Sequence, residues 1–260
     1  MRPMKTGIKI IWFAVSFTVF FYLLVTFGHF IGYNTSVLVA DLGGLGWLYS
    51  AVAVIFAFFA AFALLLELER WQNLIDAVKD EVNALNELWL WSQYLPANLK
   101  TGFQRDIKEY LKRIIDGGWE RGEGVQKDIG TETILRSLHS TVNKMIKEKP
   151  GLMPSVFSSL SDLIKHREER SDHLSFHMPS ALKYTIIFNA TILVLFSLFI
   201  GVYNVYLQYA VVICIAILVF VIYMLIEDLD NPIVFGDWHM TTQDYQDLLN
   251  RIESETKTDS

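Results

Sequence analysis

Four stretches of about twenty apolar residues, at 8–27, 45–66, 181–203 and 206–226, decide most of what this chain can become. At about 1.5 Å of rise per residue, a helix needs on the order of 20 apolar residues to cross the hydrocarbon of a bilayer. Each run is therefore expected to be a transmembrane helix. The chain is 52% hydrophobic, and the excess collects in these two blocks, while the stretch between them is as polar as a soluble helical protein. The first run follows Arg2 and Lys5 as a secretory signal would. Its apolar core is longer than a signal core and no small-x-small site closes it, so it is expected to be retained.

Orientation follows from the positive charge, because Lys and Arg beside the spans stay on the cytoplasmic side. Of the 22 Lys and Arg, 16 fall between Arg70 and Arg170, and none falls in loops 29–44 and 204–205. Both termini and the middle segment are expected to be cytoplasmic, in a cell (inner) membrane. A single cysteine, Cys214, excludes an intramolecular disulfide framework and a cysteine metal cluster. The net charge of −6 carries no nucleic-acid signal.

The domains expected are 1–66 with two transmembrane helices, 67–179 as a helical cytoplasmic domain, 180–227 with two more transmembrane helices, and 228–260 as a cytoplasmic C-terminal segment. In the middle segment, Trp71, Leu74, Ile75, Val78, Val82, Leu85, Leu88 and Trp89 recur at three- and four-residue spacing, so the second span is expected to run on as one long helix. Leu95-Pro96 should end it. Phe103, Ile107, Tyr110, Leu111 and Ile114 mark a second helix, and Gly117 to Gly130 a polar loop. Leu135, Leu138, Val142 and Ile146 mark a third, from about 132 to 147. Phe157, Leu160, Leu163 and Ile164 mark a fourth, from about 155 to 176. No nucleophile beside a base, phosphate loop, zinc spacing or dinucleotide fingerprint is present, and an enzyme is not expected.

In the second span Val54, Phe58 and Phe62 stand at i, i+4 and i+8, and Arg70-Trp71 follows eight residues later. After the fourth span comes Asp230-Asn231-Pro232, and then Phe235-Gly236-Asp237 beyond the inserted Ile233-Val234. Met178-Pro179 precedes the third span. In these three places the chain resembles the bestrophin family of ion channels, and specifically its bacterial members. The resemblance implies an all-α membrane protein: four transmembrane helices with a helical cytoplasmic domain between the second and third. It further implies a homopentamer whose pore is lined by the second span, with Val54, Phe58 and Phe62 at the neck. The acidic run that helps animal members bind calcium is reduced here to Asp237 alone, so calcium gating is not implied.

From the residues themselves, positions four apart lie one above another on a helix, so Val54, Phe58 and Phe62 form one stripe. Around an axis it would become stacked apolar rings that gate by dewetting, and the positive edge of Phe would ease an anion through. The same stripe also fits contact with lipid or a neighbouring helix, and the competing stripe of Ile55, Phe59 and Phe56 stays open. Glu67, Glu69, Arg70 and Trp71 fall at the membrane edge, as anchors or as an electrostatic ring in a vestibule. His166, His173 and His177, with Glu168, Glu169 and Asp172 nearby, could suit a transition metal, but charged helix surfaces produce such coincidences often. No metal or cofactor is assigned. The function expected is an oligomeric channel for small ions, chloride favoured and a monovalent cation the other choice. The rival is a non-conducting scaffold or sensor that recruits a partner through its cytoplasmic helices. The partners expected are the lipid bilayer, small inorganic ions and further copies of the chain.

Overall fold

The computed structural model describes residues 12–13, 15–20, 22–23, 26–27, 43–118, 129–148, 151, 153–199, 205–233 and 238–258. Among them there is no strand. Seven helices follow in order: α1 Gly43–Ser92, α2 Ala97–Arg113, α3 Ile129–Glu148, α4 Met153–Ser175, α5 Ser180–Phe199, α6 Val205–Asp230 and α7 Gln243–Thr258. The helical residues of the first apolar run precede them, and the rest of that run lies outside the described residues. Three described stretches are long and apolar enough to cross a bilayer: Gly46–Ser92, Pro154–Leu198 and Tyr206–Asp230.

The chain divides into two compact units, residues 1–69 with 177–239, and 70–176 with 240–260. In the first, the membrane unit, Phe56, Ala60 and Ala63 of α1 are buried in one cluster with Met178, Ile186, Leu193 and Ile226. Alanines at 60 and 63 remove side-chain bulk and allow close helix approach, which is how helices associate where lipid gives no hydrophobic drive. From the first run, Phe13 stacks on Phe220 of α6 with ring centroids 3.8 Å apart.

The second unit, named the cytoplasmic unit for the side on which its positive charges lead one to expect it, follows ordinary soluble packing. Leu74, Val78, Leu85, Leu88 and Trp89 of α1 are buried, as are Phe103, Ile107, Tyr110 and Leu111 of α2. Leu135, Leu138 and Val142 do the same for α3. Pro96 stands at the N-cap of α2, just beyond the end of α1, where a missing N–H does no harm. The last helical turn after α2 is a π-turn, Ile114–Gly118, in which Gly117 takes φ +112, a region that favours glycine. On α4 the inward stripe is Val156, Leu160 and Leu163, spaced i, i+4 and i+7, while Phe157 is exposed. Phe157 sits one residue, about 100°, off that stripe.

The helix α7 was not expected from the sequence. It buries Tyr245, Leu248 and Ile252 at i, i+3 and i+7, and Trp89 Nε1 donates to Glu255 Oε2 at 3.0 Å.

Candidate functional site

α1 has two faces in the membrane unit. One packs: Phe56 is 5% exposed, and Ala60 and Ala63 are buried with it. The opposite face is open, with Val54 69%, Phe58 68% and Phe62 47% exposed, and Leu65 exposed below them. At about 100° per residue, Val54, Phe58 and Phe62 lie about 160°, 200° and 240° around the helix from Phe56, so the three fall in one arc opposite the packed face. The competing stripe is partly used up inside the protomer. Phe56 is core and Phe59 packs against the same cluster, leaving Ile55 exposed. The apolar stripe that remains free is the one containing Phe58 and Phe62.

Where α1 leaves the apolar stretch, the same periodicity continues to act. Glu67 follows Ala60 and Ala63 onto the packed face and is buried. Glu69 is exposed and Trp71 half-buried. Arg70 is buried in the cytoplasmic unit, where its Nε donates to the carbonyl of His173 at 3.1 Å and its guanidinium stands 5.6 Å from the Phe176 ring centre. A planar, weakly hydrated cation over an aromatic face suits such a site.

In the membrane unit, Asp230 closes α6. Its Oδ1 accepts the backbone N–H of Met178 at 2.7 Å, two residues before α5 begins. Its Oδ2 lies 3.5 Å from Lys183 Nζ, which also reaches Glu227 Oε2 at 2.6 Å. Asn231 Nδ2 donates to the Glu227 carbonyl, and Pro232 is buried. One lysine thus offsets one of the two carboxylate charges, and the carboxylate of Asp230 holds the chain just ahead of α5 through the Met178 N–H.

A profile for the Bestrophin-like domain matches residues 43–233, well over half of the sequence. The chain belongs to the Bestrophin-like family. Solved structures share its fold. A bacterial bestrophin homologue from Klebsiella pneumoniae, carrying a point mutation, superimposes with a TM-score of 0.69 at 11% identity, covering 96% of this chain and 98% of that one. A second variant of that homologue gives 0.69 at 14% identity, over 96% and 97%. A structure described as a membrane protein gives 0.71 at 14% identity, over 96% and 98%. No curated protein matches the sequence.

In this bestrophin-like chain the expected residues thus separate. Val54, Phe58 and Phe62 share the open face, Glu69 is the exposed acid at the edge, and Glu67 and Arg70 are taken up by packing. Phe235, Gly236 and Asp237 lie outside the described residues. Of the histidines, His166 pairs with Glu169 at 2.8 Å, and no three His, Cys, Asp or Glu side chains converge on a metal position among the described residues.

The sequence reading missed a buried polar network in the cytoplasmic unit of this bestrophin-like chain. Glu81 and Arg170 are both buried, with Arg170 Nε 2.6 Å and Nη2 3.4 Å from the two carboxylate oxygens. Tyr110 Oη donates to Glu81 Oε1 at 2.6 Å, and Tyr245 stands buried beside the same pair. Helices α1, α2, α4 and α7 each supply one member. The only signal in the sequence was Glu81 at a buried register position, three residues after Val78 and four before Leu85.

The network sets a pH dependence. Burial first, and the Glu81 charge second, raise both phenols well above their usual value near 10. Burial alone would lower Arg170, but the charge of Glu81 holds it above the usual arginine value. Unfolded tyrosines ionise at about pH 10 while the folded ones stay neutral, so their contribution is whole below that pH and is lost as pH rises beyond it. Circular dichroism of the purified chain should show stability falling above about pH 10, and Tyr110→Phe with Tyr245→Phe should flatten that fall. An equally steep alkaline loss in the double variant would count against these two residues.

Proposed function

We propose that this chain is one subunit of an oligomeric ion channel, a homopentamer, in which the apolar part of α1 lines the pore and Val54, Phe58 and Phe62 form its neck. The observation that carries the reading is the uncovered apolar face of α1. One copy offers one such face, and a conduit needs several around an axis. Membership of the Bestrophin-like family supports the same reading. The favoured ion is a small anion such as chloride, because phenylalanine edges carry positive charge toward the lumen. Glu69 at the edge keeps a monovalent cation as the alternative. In this reading the chain lies in the inner membrane with both termini cytoplasmic, 1–66 and 180–227 being its membrane parts and 67–179 and 228–260 its cytoplasmic parts.

The test is to determine the subunit number of the purified protein by mass and to record from planar bilayers under separate chloride and potassium gradients. Pentamers that carry current with a reversal potential set by chloride support the proposal. Assembled protein that is silent under every gradient replaces it with the scaffold reading. The orientation has its own check. In a Cys214→Ser background, Asn34→Cys and Asn204→Cys should react with an impermeant external thiol reagent in intact cells, and Gly122→Cys should not. Labelling at Gly122→Cys would invert the arrangement.

A further inference from the structure

Between the start of α2 and the exposed face of α3, within the cytoplasmic unit, lies a cavity of about 670 Å³. Arg136, His139, Asn143 and Lys144 line it from α3, and Asn98 and Leu99 from the first turn of α2. The four α3 residues stand at i, i+3, i+7 and i+8, which places them on one helix face. Among the described residues, no acidic side chain lines the cavity. This is unusual placement in a chain with 28 acids against 22 Lys and Arg, and neither Arg136 nor Lys144 has an ion-pair partner among the described residues. Elsewhere in this unit Lys112, Lys165, Arg167 and Arg170 are each paired.

The polar groups around these cations can all donate a hydrogen bond. Asn143 Nδ2 lies 3.1 Å from His139 Nδ1, which leaves Nε2 as the ring nitrogen that donates. At the α2 end, Asn98 adds a side-chain amide to the same cavity. An arginine fork, a lysine point charge and amide donors together match phosphate oxygens. The site is an open groove whose α3 side chains are exposed, and its volume is in the range of small-molecule sites. Among the described residues Leu99 is the only apolar liner, and none is an aromatic that could stack a nucleobase.

We propose that this cavity binds a compact polyanion through its phosphate groups, a non-aromatic phosphorylated metabolite or the phosphorylated headgroup of a lipid. Recognition rests on charge and donors alone, so removal of the base from a nucleotide should not weaken binding.

The test uses the full-length protein in detergent, titrated calorimetrically with sodium tripolyphosphate. Saturable binding at one site per chain is expected, weakening as salt rises. Arg136→Ala with Lys144→Ala should weaken it at least tenfold, while Lys79→Ala on α1 should leave it unchanged. ATP should bind no tighter than tripolyphosphate. A second arm compares a soluble inositol phosphate with the same headgroup on short acyl chains: equal affinity assigns a soluble ligand, and tighter binding of the acylated form assigns a lipid. Failure of tripolyphosphate to bind at millimolar concentration would overturn the proposal. So would wild-type affinity in the double variant, or a preference for ATP that requires its base. The readout is binding, so it stands apart from whether the protein conducts.

Discussion

Glu81→Ala should unfold the cytoplasmic unit about 3–5 kcal/mol more easily than the parent, the loss typical of breaking a buried ion pair from one side. The cause is what remains. Arg170 would keep its charge at a buried position with its carboxylate partner gone, and Tyr110 Oη would lose the acceptor 2.6 Å away. Denaturant titration followed by tryptophan emission and circular dichroism would measure it. Replacing both charges by apolar groups of similar size, Glu81→Leu with Arg170→Met, should recover most of the loss, because neither member of the pair is then left as an unpaired buried charge. A change of under about 1 kcal/mol in the single variant would mean that water reaches the pair and the core is not closed there.

Phe58→Ala and Phe62→Ala should assemble normally and change conductance or gating by a large factor, while Phe56→Ala should damage the protein itself. The difference lies in where each ring sits within one protomer. Phe56 is buried with Ala60, Ile186 and Leu193, so truncating it removes a core side chain at about 3–5 kcal/mol. Phe58 is about two-thirds and Phe62 about half exposed, so truncation removes much less internal packing than at Phe56. A ring of Phe side chains offers an ion few replacements for its hydration shell, and alanine makes room for water. Size-exclusion profiles followed by bilayer recording separate the outcomes, with the half-buried Phe59→Ala as a phase control. If Phe58→Ala and Phe62→Ala assemble and leave currents identical to the parent, the face is turned toward lipid.

Much of the helical fold was legible because each signal was local. The α2 stripe of Phe103, Ile107, Tyr110 and Leu111 and the stop at Leu95-Pro96 follow from periodicity and proline sterics, and both are found as expected. The face of α1 was legible only as two alternatives, since Phe56, Phe58, Phe59 and Phe62 all read as apolar. Packing against α5 and α6 distinguishes them, and no single-helix pattern contains that information. The Glu81–Arg170 pair was not legible, because the partners are 89 residues apart and each alone reads as an ordinary surface charge. α7 could have been found: Tyr245, Leu248 and Ile252 carry helical spacing, but the acids and amides around them read as a polar tail.

That last helix bears on the order in which the protein is made. Tyr245, Leu248 and Ile252 belong to the core that α1, α2 and α4 begin, yet they are encoded after both α5 and α6. A ribosome adding about 5–20 residues per second must therefore complete two further apolar helices before the cytoplasmic core has all its parts. During those seconds Tyr110 and the Glu81–Arg170 pair lack their fourth neighbour, and the groove for α7 stays open to solvent and to chaperones. The cytoplasmic unit can close only once the last membrane helix has left the exit tunnel.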